Sequence, residues 1–461
     1  MKAQNARGTR DFSPVEVKKR NYIIDTIKKY YELYGYLPIE TPAIENLSTL
    51  TGKYGEEGDQ LLFKILNSRL HEHKNKSLLL EEFSKMLEKP YNSEHLTERA
   101  LRYDLTVPFA RYVSQYRHQI TFPFKRYQIQ PVWRADKPQK GRYREFVQCD
   151  ADAIGTSSLL MEVELIQLIH DVFTELKLPT TLKINNRKIL SGIIEYIEAS
   201  HLSNDIIVLI DKLDKVEASQ IKNEMLAIGL NNEQVNKLFD VITLKSNAFE
   251  IIENLKKIDN SQLQKGIDEI YYVLSFHKQN LLSPEKYFNL ELDVTLARGL
   301  NYYTGIIFEA KSNIGELKSS ILGGGRYDDL TGIFDFPEVS GVGISFGIDR
   351  IFDVMDEAQL FPEQFNEISP AQILLAYMDE SFLPYVFDIA SHLRQNNISV
   401  EVYHQKDKMK KYFDYANKKH FRYIGIIGES EAEKKVISLK NLINGEQQEY
   451  SIDEIILKLK R

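Results

Sequence analysis

The apolar residues that follow Pro14 recur with the spacing of a helix. Four of them, three or four residues apart, share one helical face: Ile23, Ile27, Tyr30 and Tyr34. The segment Ser13-Pro14-Val15-Glu16 fits a capping box with proline at the first helical position. We therefore predict a helix that begins at Pro14 and ends near Gly35, followed by a short strand over residues 36–42.

Between Phe124 and Ile154 the pattern changes to an alternation of polar and apolar residues, as in strands. Two such segments, 127–134 and 144–152, flank residues 135–141 and predict an antiparallel hairpin with a long loop. Each segment places its polar residues on one face: Gln128, Gln130 and Arg134 in the first, and Arg144, Gln148, Asp150 and Asp152 in the second. We expect this face to form the floor of a polar pocket.

A long middle section of the chain lacks strand patterns. Residues 188–286 show helical periodicity, which predicts a helical unit inserted into the sheet domain. Strand patterns return after it, at residues 288–296, 302–310 and 342–346. Beyond residue 362 a strand, a helix and two further strands are predicted, over residues 373–376, 383–395, 399–403 and 424–427. The predicted fold class is α+β: an antiparallel sheet domain with a helical insertion, followed by a small α/β domain.

Composition places few limits on this picture. Hydrophobic residues make up 43% and charged residues 27% of the chain, which is ordinary for a folded protein. No apolar run approaches the roughly 18 residues of a membrane helix, and the polar N-terminus lacks the apolar segment of a secretory signal. A single cysteine, Cys149, permits neither an internal disulfide nor a multi-cysteine zinc site. We expect a cytoplasmic protein without membrane contact and without a metal ion held by its own side chains.

The distribution of charge is more informative than its sum. The formal net charge of −7 does not indicate a nucleic-acid-binding protein. Residues 406–422, however, contain seven basic and two acidic side chains, and Tyr403, Tyr412 and Tyr423 lie among or beside them. Such a stripe suits an RNA backbone and unstacked bases, and a solvated helix face is the alternative.

The end of the first hairpin strand carries a candidate anion site. Arg134 precedes a loop that contains three further basic residues: Lys137, Lys140 and Arg142. An arginine binds phosphate oxygens bidentately, so the loop suits a polyanion. A solvated hairpin tip is the alternative interpretation.

Two other polar groups are candidates for binding a small substrate. Gln148 and Asp152 share a strand face, where a carboxylate and an amide suit an imidazole; a structural hydrogen-bonded pair is the alternative. Asp104 can hold an ammonium group, while Thr106 can be explained as a helix cap.

Three glycine-containing segments interrupt the strand patterns. In the segment Arg298-Gly299-Leu300-Asn301-Tyr302-Tyr303, an arginine with two tyrosines is more than a turn requires. Gly323 to Asp328 is a glycine run before a helix-like segment, which permits either close approach of a ligand or a sharp turn. Gly341 to Arg350 predicts a strand that runs into a helix. Arg350 then lies in the first helical turn, where it either serves an anion or pairs with Asp349 or Asp353.

The order of these segments resembles that of class II aminoacyl-tRNA synthetases. The first helix with its strand to Pro42 is similar to motif 1, the hairpin with Arg134 to motif 2, and Gly341–Arg350 to motif 3. Two further segments resemble the histidine-specific segments of the histidyl-tRNA synthetase family: residues 298–303 and 324–328. The resemblance extends over nearly the whole chain, including the C-terminal anticodon-binding unit.

This resemblance implies a domain organisation and a reaction. Residues 1–360 would form the catalytic domain, interrupted by the helical insertion 188–286, and residues 369–461 the anticodon-binding domain. The implied reaction is ATP-dependent conversion of L-histidine to histidyl-adenylate, with transfer to the 3′ end of tRNA(His). ATP is the implied substrate and Mg²⁺ the implied cofactor, in a homodimer.

The resemblance also implies roles for single residues. Those implied to bind ATP are Arg134, Arg142 and Arg350. Those implied to bind histidine are Asp104, Gln148, Asp152, Arg298, Tyr302, Tyr303 and Tyr327. Arg298 would be the catalytic arginine between the histidine carboxylate and the α-phosphate, assisted by Arg134.

Two departures and two rival functions accompany the resemblance. Tyr103-Asp104-Leu105 stands where bacterial-type members usually have Pro-Glu-Gly, and Asn301 stands where the family commonly has aspartate. One rival is the regulatory paralogue that binds histidine without charging tRNA, but that family normally lacks the tail beyond residue 371. The other is a class II synthetase for glycine, threonine or proline, which would need neither Asp152 nor the segment 298–303.

Overall fold

The computed structural model describes residues 3–52, 55–89, 91–214, 216–244, 246–278, 285–297, 302–365 and 369–459. The chain divides into two compact units. Residues 1–11 and 19–360 form the first unit, and residues 12–18 and 361–461 form the second.

An eight-stranded sheet is the centre of the first unit. The strands up to residue 360, among those that the structure describes, are β1 (Leu37–Pro38), β2 (Ile44–Asn46), β3 (Lys64–Ile65), β4 (Arg99–Leu101), β5 (Phe124–Trp133), β6 (Glu145–Ile154), β7 (Thr180–Asn186), β8 (Phe288–Leu292), β9 (Ile306–Ser312), β10 (Leu322–Tyr327) and β11 (Gly341–Gly347). The large sheet has the order β1-β5-β6-β11-β10-β9-β7-β8, and β2-β4-β3 form a small sheet. Only the β1–β5 and β7–β8 pairings among these described strands are parallel.

Thirteen α-helices are described up to residue 360: α1 (Pro14–Leu33), α2 (Leu47–Leu50), α3 (Gly55–Gln60), α4 (Lys76–Glu88), α5 (Thr106–Tyr116), α6 (Leu160–Glu175), α7 (Arg187–Tyr196), α8 (Ser203–Asp211), α9 (Ala218–Ala227), α10 (Asn232–Ile242), α11 (Ala248–Leu255), α12 (Ser261–Phe276) and α13 (Ile348–Glu357). Helices α7 to α12 correspond to the predicted helical insertion. Each of them buries an apolar face, so the insertion has a helical core of its own.

Helix α1 packs an apolar face on the eight-stranded sheet. The predicted capping box is present, because Ser13 and Glu16 exchange hydrogen bonds between side chain and backbone. The buried apolar side chains of the helix are those of Ile23, Ile27 and Tyr31. The Tyr31 hydroxyl donates to the carbonyl oxygen of Cys149 in β6 at 2.6 Å. This bond ties α1 to the middle of the sheet.

Two details of the predicted N-terminal region are wrong. Tyr30 and Tyr34 lie at the margin of the buried face, and their hydroxyls donate to Glu175 and Asp171 of α6. Tyr31, the residue after Tyr30, occupies the position against the sheet. Tyr30 and Tyr34 therefore face α6 instead. The strand predicted at residues 36–42 is confined to Leu37–Pro38, where it pairs with β5.

The hairpin prediction is confirmed by β5 and β6. Their register creates three polar cross-strand pairs: Arg126–Asp152, Gln128–Asp150 and Gln130–Gln148. On its other side β6 pairs with β11, and small residues stand opposite the polar ones: Gly343, Ser345 and Gly347. Alternate residues of a strand share one face, so the sheet carries a polar layer next to residues that leave room above it.

The glycine run does not form a sharp turn, which was one of the two alternatives that the sequence left open, but lies inside strand β10. A Cβ at Gly324 would stand 2.3 Å from the carbonyl oxygen of Gly343 in β11. A Cβ at Gly325 would stand 2.9 Å from the carbonyl oxygen of Ile306. At Gly323 the nearest atom would be 4.0 Å away. The neighbouring strands therefore require glycine at two positions of the three.

The predicted strand–helix–strand pattern in the second unit is also confirmed. Its described elements beyond residue 360 are strands β12 (Ile373–Tyr377), β13 (Val400–Val402), β14 (Tyr423–Ile427), β15 (Ile437–Asn441) and β16 (Gln447–Tyr450), and helices α14 (Leu383–Gln395), α15 (Met409–Lys418), α16 (Glu429–Lys434) and α17 (Ile452–Leu459). The sheet order is β13-β12-β14-β15-β16. The first three strands are parallel, and the β15–β16 hairpin, which was not predicted, adds two antiparallel strands.

The tyrosines of the predicted RNA-binding stripe are core residues. Tyr403, Tyr412 and Tyr423 are buried, and the Tyr412 hydroxyl donates to the carbonyl oxygen of Tyr377 at 2.7 Å. The basic side chains between residues 406 and 422 are exposed. The prediction that bases stack on these tyrosines is therefore wrong, whereas the predicted basic surface is present.

Among the described residues, no helix combines the length and the apolarity that crossing a membrane requires.

The two kinds of glycine in β10 generate a stability prediction. We expect Gly324→Ala to lower the free energy of unfolding by about 1–3 kcal/mol, because its methyl group would clash with backbone atoms that cannot move aside. Gly323→Ala is the matched control and should change it little. Urea unfolding followed by the fluorescence of the single tryptophan, Trp133 at the end of β5, measures both. Equal midpoints for the two variants would contradict the steric argument.

Candidate active site

A cavity of about 290 Å³ lies on the polar face of the eight-stranded sheet. Its walls come from β6, β9, β10 and β11, from the loop between β5 and β6, and from the first residues of α5 and α13. Seven residues predicted for the site line it together: Asp104, Arg134, Arg142, Gln148, Tyr302, Tyr303 and Arg350. These residues are far apart in the sequence, and each was assigned to the site on its own grounds. The fold brings them to one cavity.

Of the remaining three predicted site residues, two are described by the structure, and these two do not line the cavity. Asp152 and Tyr327 belong to the polar face but are buried there, at 2% and 1% exposure. Arg298 lies outside the described residues, so its placement stays a prediction.

Arg134 is held in a fixed orientation at the cavity wall. Its Nε donates to the carbonyl oxygen of Tyr103 at 3.1 Å. Its guanidinium carbon lies 4.2 Å from the ring centroid of Tyr103 and 5.1 Å from that of Phe146. Stacking against two rings orients the planar cation toward the cavity before any anion binds.

Arg350 is oriented by backbone carbonyl groups. Its Nε donates to Gly141 at 2.8 Å and its Nη1 to Ser320 at 2.7 Å. Its position in the first turn of α13 is as predicted. Arg142, on the same loop as Gly141, is half-exposed and lies 3.9 Å from Asp136.

Two polar residues of the cavity wall, Gln148 and Asp104, are hydrogen-bonded to neighbouring elements. Gln148 Nε2 donates to the hydroxyl of Ser345 at 2.8 Å, which joins β6 to β11 within the polar layer. Asp104 Oδ1 accepts a hydrogen bond from the backbone N–H of Val107 at 3.2 Å. The capping side chain of α5 is therefore Asp104 and not Thr106, which is the first residue of the helix.

A charged pair that was not predicted lies under the cavity. Arg126 Nη2 stands 2.6 Å from Asp152 Oδ2, and both side chains are almost fully buried. The Tyr327 hydroxyl donates to Asp152 Oδ1 at 2.8 Å. Burial raises the pKa of Asp152, and the Arg126 charge opposes that shift. Arg126 has the same parity as Gln128 and Gln130, and this was the signal that could have identified it.

Asp150, between Gln148 and Asp152 on β6, is a second buried carboxyl group. Burial raises its pKa from an ordinary 3.8 to about 7. The Arg126 charge and a hydrogen bond with Ser345 oppose that shift, while Asp152 and Asp104 add to it.

The N-terminal segment braces the loop that carries Arg142. The carbonyl oxygen of Gly8 accepts from the backbone N–H of Arg144 at 2.9 Å. The guanidinium carbon of Arg10 lies 3.5 Å from the Tyr143 ring centroid, and its nitrogens donate to Asp349 at 2.5 Å and to Asp353 at 3.0 Å. Asp349 and Asp353, which the sequence offered as partners of Arg350, thus bind the N-terminal segment. This contact too was not predicted.

Comparison with protein families gives two matches. The description of the first is histidyl-tRNA synthetase, over residues 92–351. The second is an anticodon-binding domain, over residues 372–461.

Individual proteins resemble the chain over its length. The histidine–tRNA ligase of Cytophaga hutchinsonii is 48% identical to it, with 98% of each chain covered. The crystal structure of histidyl-tRNA synthetase from Nostoc sp. PCC 7120 superposes with a TM-score of 0.79 and 30% identity, with 99% of each chain covered. A Bacillus halodurans structure described as an ATP phosphoribosyltransferase regulatory subunit/histidyl-tRNA synthetase shares the fold, with a TM-score of 0.70 and 19% identity over 92% of this chain and 97% of that one.

The raised pKa of Asp150 predicts a pH-dependent stability difference. Between about pH 4 and pH 7 the unfolded chain ionises this carboxyl group while the folded protein keeps it protonated, so rising pH removes stability. Asp150→Asn cannot ionise and should gain on the wild type by at most about 1.4 kcal/mol per pH unit, with no further gain above pH 7.

Urea unfolding of both proteins at pH 5, 6, 7 and 8 measures this gap. Asp356→Asn, at a half-exposed surface carboxylate, is the control and should show no such growth. A gap between Asp150→Asn and the wild type that is constant with pH would refute the assignment.

Proposed function

The chain belongs to the histidyl-tRNA synthetase family and is a histidine–tRNA ligase that uses ATP, and we propose that the cavity on its eight-stranded sheet is the active site. One observation carries this proposal. Acidic, amide and tyrosine side chains that suit an amino acid line the same cavity as three arginines that suit a polyphosphate. The reaction must bring these two substrates into contact.

The proposed roles divide the cavity between its substrates. Asp104 receives the α-ammonium group of histidine, and Gln148 with Tyr302 and Tyr303 surrounds its body. The imidazole enters deepest, past Gln148 along the polar face, toward Asp152 and Tyr327. The arginines of the wall, Arg134, Arg142 and Arg350, bind the phosphates of ATP.

Two chemical steps follow from this arrangement. A carboxylate oxygen of histidine attacks the α-phosphorus of ATP, the new O–P bond gives histidyl-adenylate, and the bond to pyrophosphate breaks. A terminal ribose hydroxyl of tRNA(His) then attacks the activated carbonyl carbon, and AMP leaves. Such transfers depend on positioning and charge stabilisation, so arginines oriented in advance contribute more than a covalent nucleophile would. The rings against Arg134 and the carbonyl groups around Arg350 supply that orientation.

We also propose that ATP is bound together with Mg²⁺. This ion is commonly held by one or two carboxylates together with substrate phosphates. Glu309 of β9 lines the cavity, is hydrogen-bonded by Ser320, and has Lys311 Nζ 3.4 Å away. We propose Glu309 as the carboxylate that holds the ion. When bound, Mg²⁺ would neutralise charge on the phosphate oxygens.

We further propose the domain limits 1–360, with the insertion 188–286, and 369–461. The division of the chain into units near residue 360 and the anticodon-binding match from residue 372 support these limits. A homodimer through motif 1 is proposed on the exposed apolar side chains of Leu33, Leu37 and Ile44 around α1 and β1. Because charged tRNA is used in translation, we place the protein in the cytoplasm.

The regulatory paralogue is the second candidate function, and the fold alone is compatible with it. The anticodon-binding match over residues 372–461 favours the ligase, because a histidine sensor has no use for a tRNA-binding tail.

The first test is ATP–pyrophosphate exchange with each of the twenty amino acids, without tRNA. We expect exchange with histidine alone. Arg298→Ala should lower the exchange rate by about 100-fold, the loss of about 3 kcal/mol expected for a charge-stabilising group, while histidine still binds in calorimetry. Arg99→Ala, at an exposed residue of β4, is the control and should retain near-normal exchange.

Two outcomes would count against this proposal. Near-normal exchange in Arg298→Ala would exclude the catalytic role of that residue. No exchange with any amino acid, in a wild-type protein that binds histidine, would favour the regulatory function.

The basic surface of the second unit generates a separate prediction for tRNA binding. Replacing the exposed Lys410, Lys418 and Lys419 by glutamine should weaken tRNA binding and lower its logarithmic salt slope by about 0.7–0.9 per lost phosphate contact. Exchange without tRNA should be unaffected.

The double variant Lys406→Gln/Lys411→Gln is the control for this surface. These two ammonium groups are already paired with Asp379 and Asp407, so their loss should change the slope less. An unchanged slope in the triple variant would exclude the surface from tRNA binding.

A further inference from the structure

We propose that Arg126 is a positioning residue for histidine recognition, whose guanidinium keeps Asp152 a charged acceptor so that the site binds an uncharged imidazole ring. This inference rests on the proposed function of the cavity, and it assigns a role to a residue that does not itself line the cavity.

The geometry makes Asp152 the ion-pair partner of Arg126, whose guanidinium also donates to Gln128 Oε1 at 3.3 Å and to the carbonyl oxygen of Leu105 at 3.5 Å. Arg126 and Asp152 are directly opposite in the β5–β6 register, and Nη2 to Oδ2 is 2.6 Å. The guanidinium carbon lies 4.2 Å from the ring centroid of Phe109, which covers its other side. Arg126 is fully buried, so water does not screen its charge from the carboxylate.

The other groups around Asp152 are acids or neutral hydroxyls. The described groups that interact with it electrostatically, besides Arg126, are Asp150 of β6, Tyr31 of α1, Tyr327 of β10, and Tyr36 and Tyr303. Burial raises the pKa of Asp152 and so favours the protonated acid, whereas the charge of Arg126 and the hydrogen bond from Tyr327 oppose that shift. The Tyr327 hydroxyl donates to Oδ1 and fixes the direction of the carboxylate.

This charge arrangement determines which form of the ring binds. A neutral imidazole donates one N–H to the ionised carboxylate of Asp152. The positive charge of Arg126 balances the negative charge of this carboxylate, so the three groups together carry no net charge. An imidazolium ring would add an uncompensated positive charge to a buried site. Without Arg126, one proton shared between the ring and Asp152 has to replace the missing charge.

The two cases differ in the sign of their pH dependence. In the wild type, affinity for histidine should fall as pH drops below the ordinary imidazole pKa of about 6.5, because the ring must lose its proton. In Arg126→Leu the complex keeps a proton. Its affinity should therefore fall as pH rises above the pKa of Asp152 in the variant, approaching tenfold per pH unit.

The test is calorimetric titration with L-histidine, without ATP, between pH 5.5 and 9. The ratio of the dissociation constants of Arg126→Leu and the wild type should rise with pH, which cancels the titration of histidine itself. Arg126→Lys keeps the charge and should follow the wild type. The double variant R126L/D152N carries neither charge and should also parallel the wild type, with tryptophan fluorescence as the check of folding.

A ratio that is the same at every pH would overturn the proposal, because a purely structural role does not change the slope. So would Arg126→Lys behaving like Arg126→Leu, or a wild type that does not bind histidine. If Arg126→Leu does not fold, Arg126→Gln takes its place: it also removes the charge but keeps a hydrogen-bonding side chain, and its ratio should rise with pH in the same way, whereas a constant ratio would overturn the proposal. Exchange measured on the same proteins separates this outcome from a failure of the ligase function, since histidine binding needs no catalysis.

Discussion

The position of β6 between β5 and β11 is the constraint on which the site depends. Alternation along β6 sends Gln148, Asp150 and Asp152 to one face, and hydrogen-bonding on both sides leaves this strand no freedom to shift its register. Two carboxyl groups are thereby placed in a buried layer, where an uncompensated charge is costly. The adjacent strands supply groups that reduce this cost. Strand β5 contributes Arg126, β10 contributes the Tyr327 hydroxyl, and β11 contributes Ser345 and Gly343, which has no side chain.

The cations above this layer are oriented by a different means. The Arg134 guanidinium is stacked against two rings, and Arg350 is held by two carbonyl oxygens. Neither guanidinium has to search for its orientation when a polyphosphate arrives, so less conformational entropy is lost on binding. On the floor of the cavity, ion pairing determines the charge of the carboxyl groups. On its wall, stacking and backbone contacts determine the orientation of the arginines.

Much of this was predictable from local pattern. The hairpin Phe124–Ile154 and the helix Leu383–Gln395 follow from periodicity alone, and seven of the predicted site residues line one cavity. The failures have nonlocal causes. The sequence left two alternatives for the glycine run and could not decide between them, because the carbonyl groups of β11 and of Ile306 that require glycine at Gly324 and Gly325 belong to other strands. The tyrosines between the C-terminal lysines are buried because an amphipathic helix and its flanking strands present one face to each environment. Arg126 was overlooked because arginine is rarely buried without a partner, and its carboxylate partner Asp152 lies on a different strand.

The brace formed by Gly8 and Arg10 has a consequence for the nascent chain. Arg10 is synthesised well before its partner Asp349, which follows 339 residues later. At the usual 5–20 residues per second, about 17 to 70 seconds separate the two at the ribosome. The loop with Arg142 is complete long before then, but the segment that braces it has no carboxylate to hold. The ion pairs of Arg10 that complete this brace beside the cavity can therefore form only when synthesis of the first unit is nearly finished.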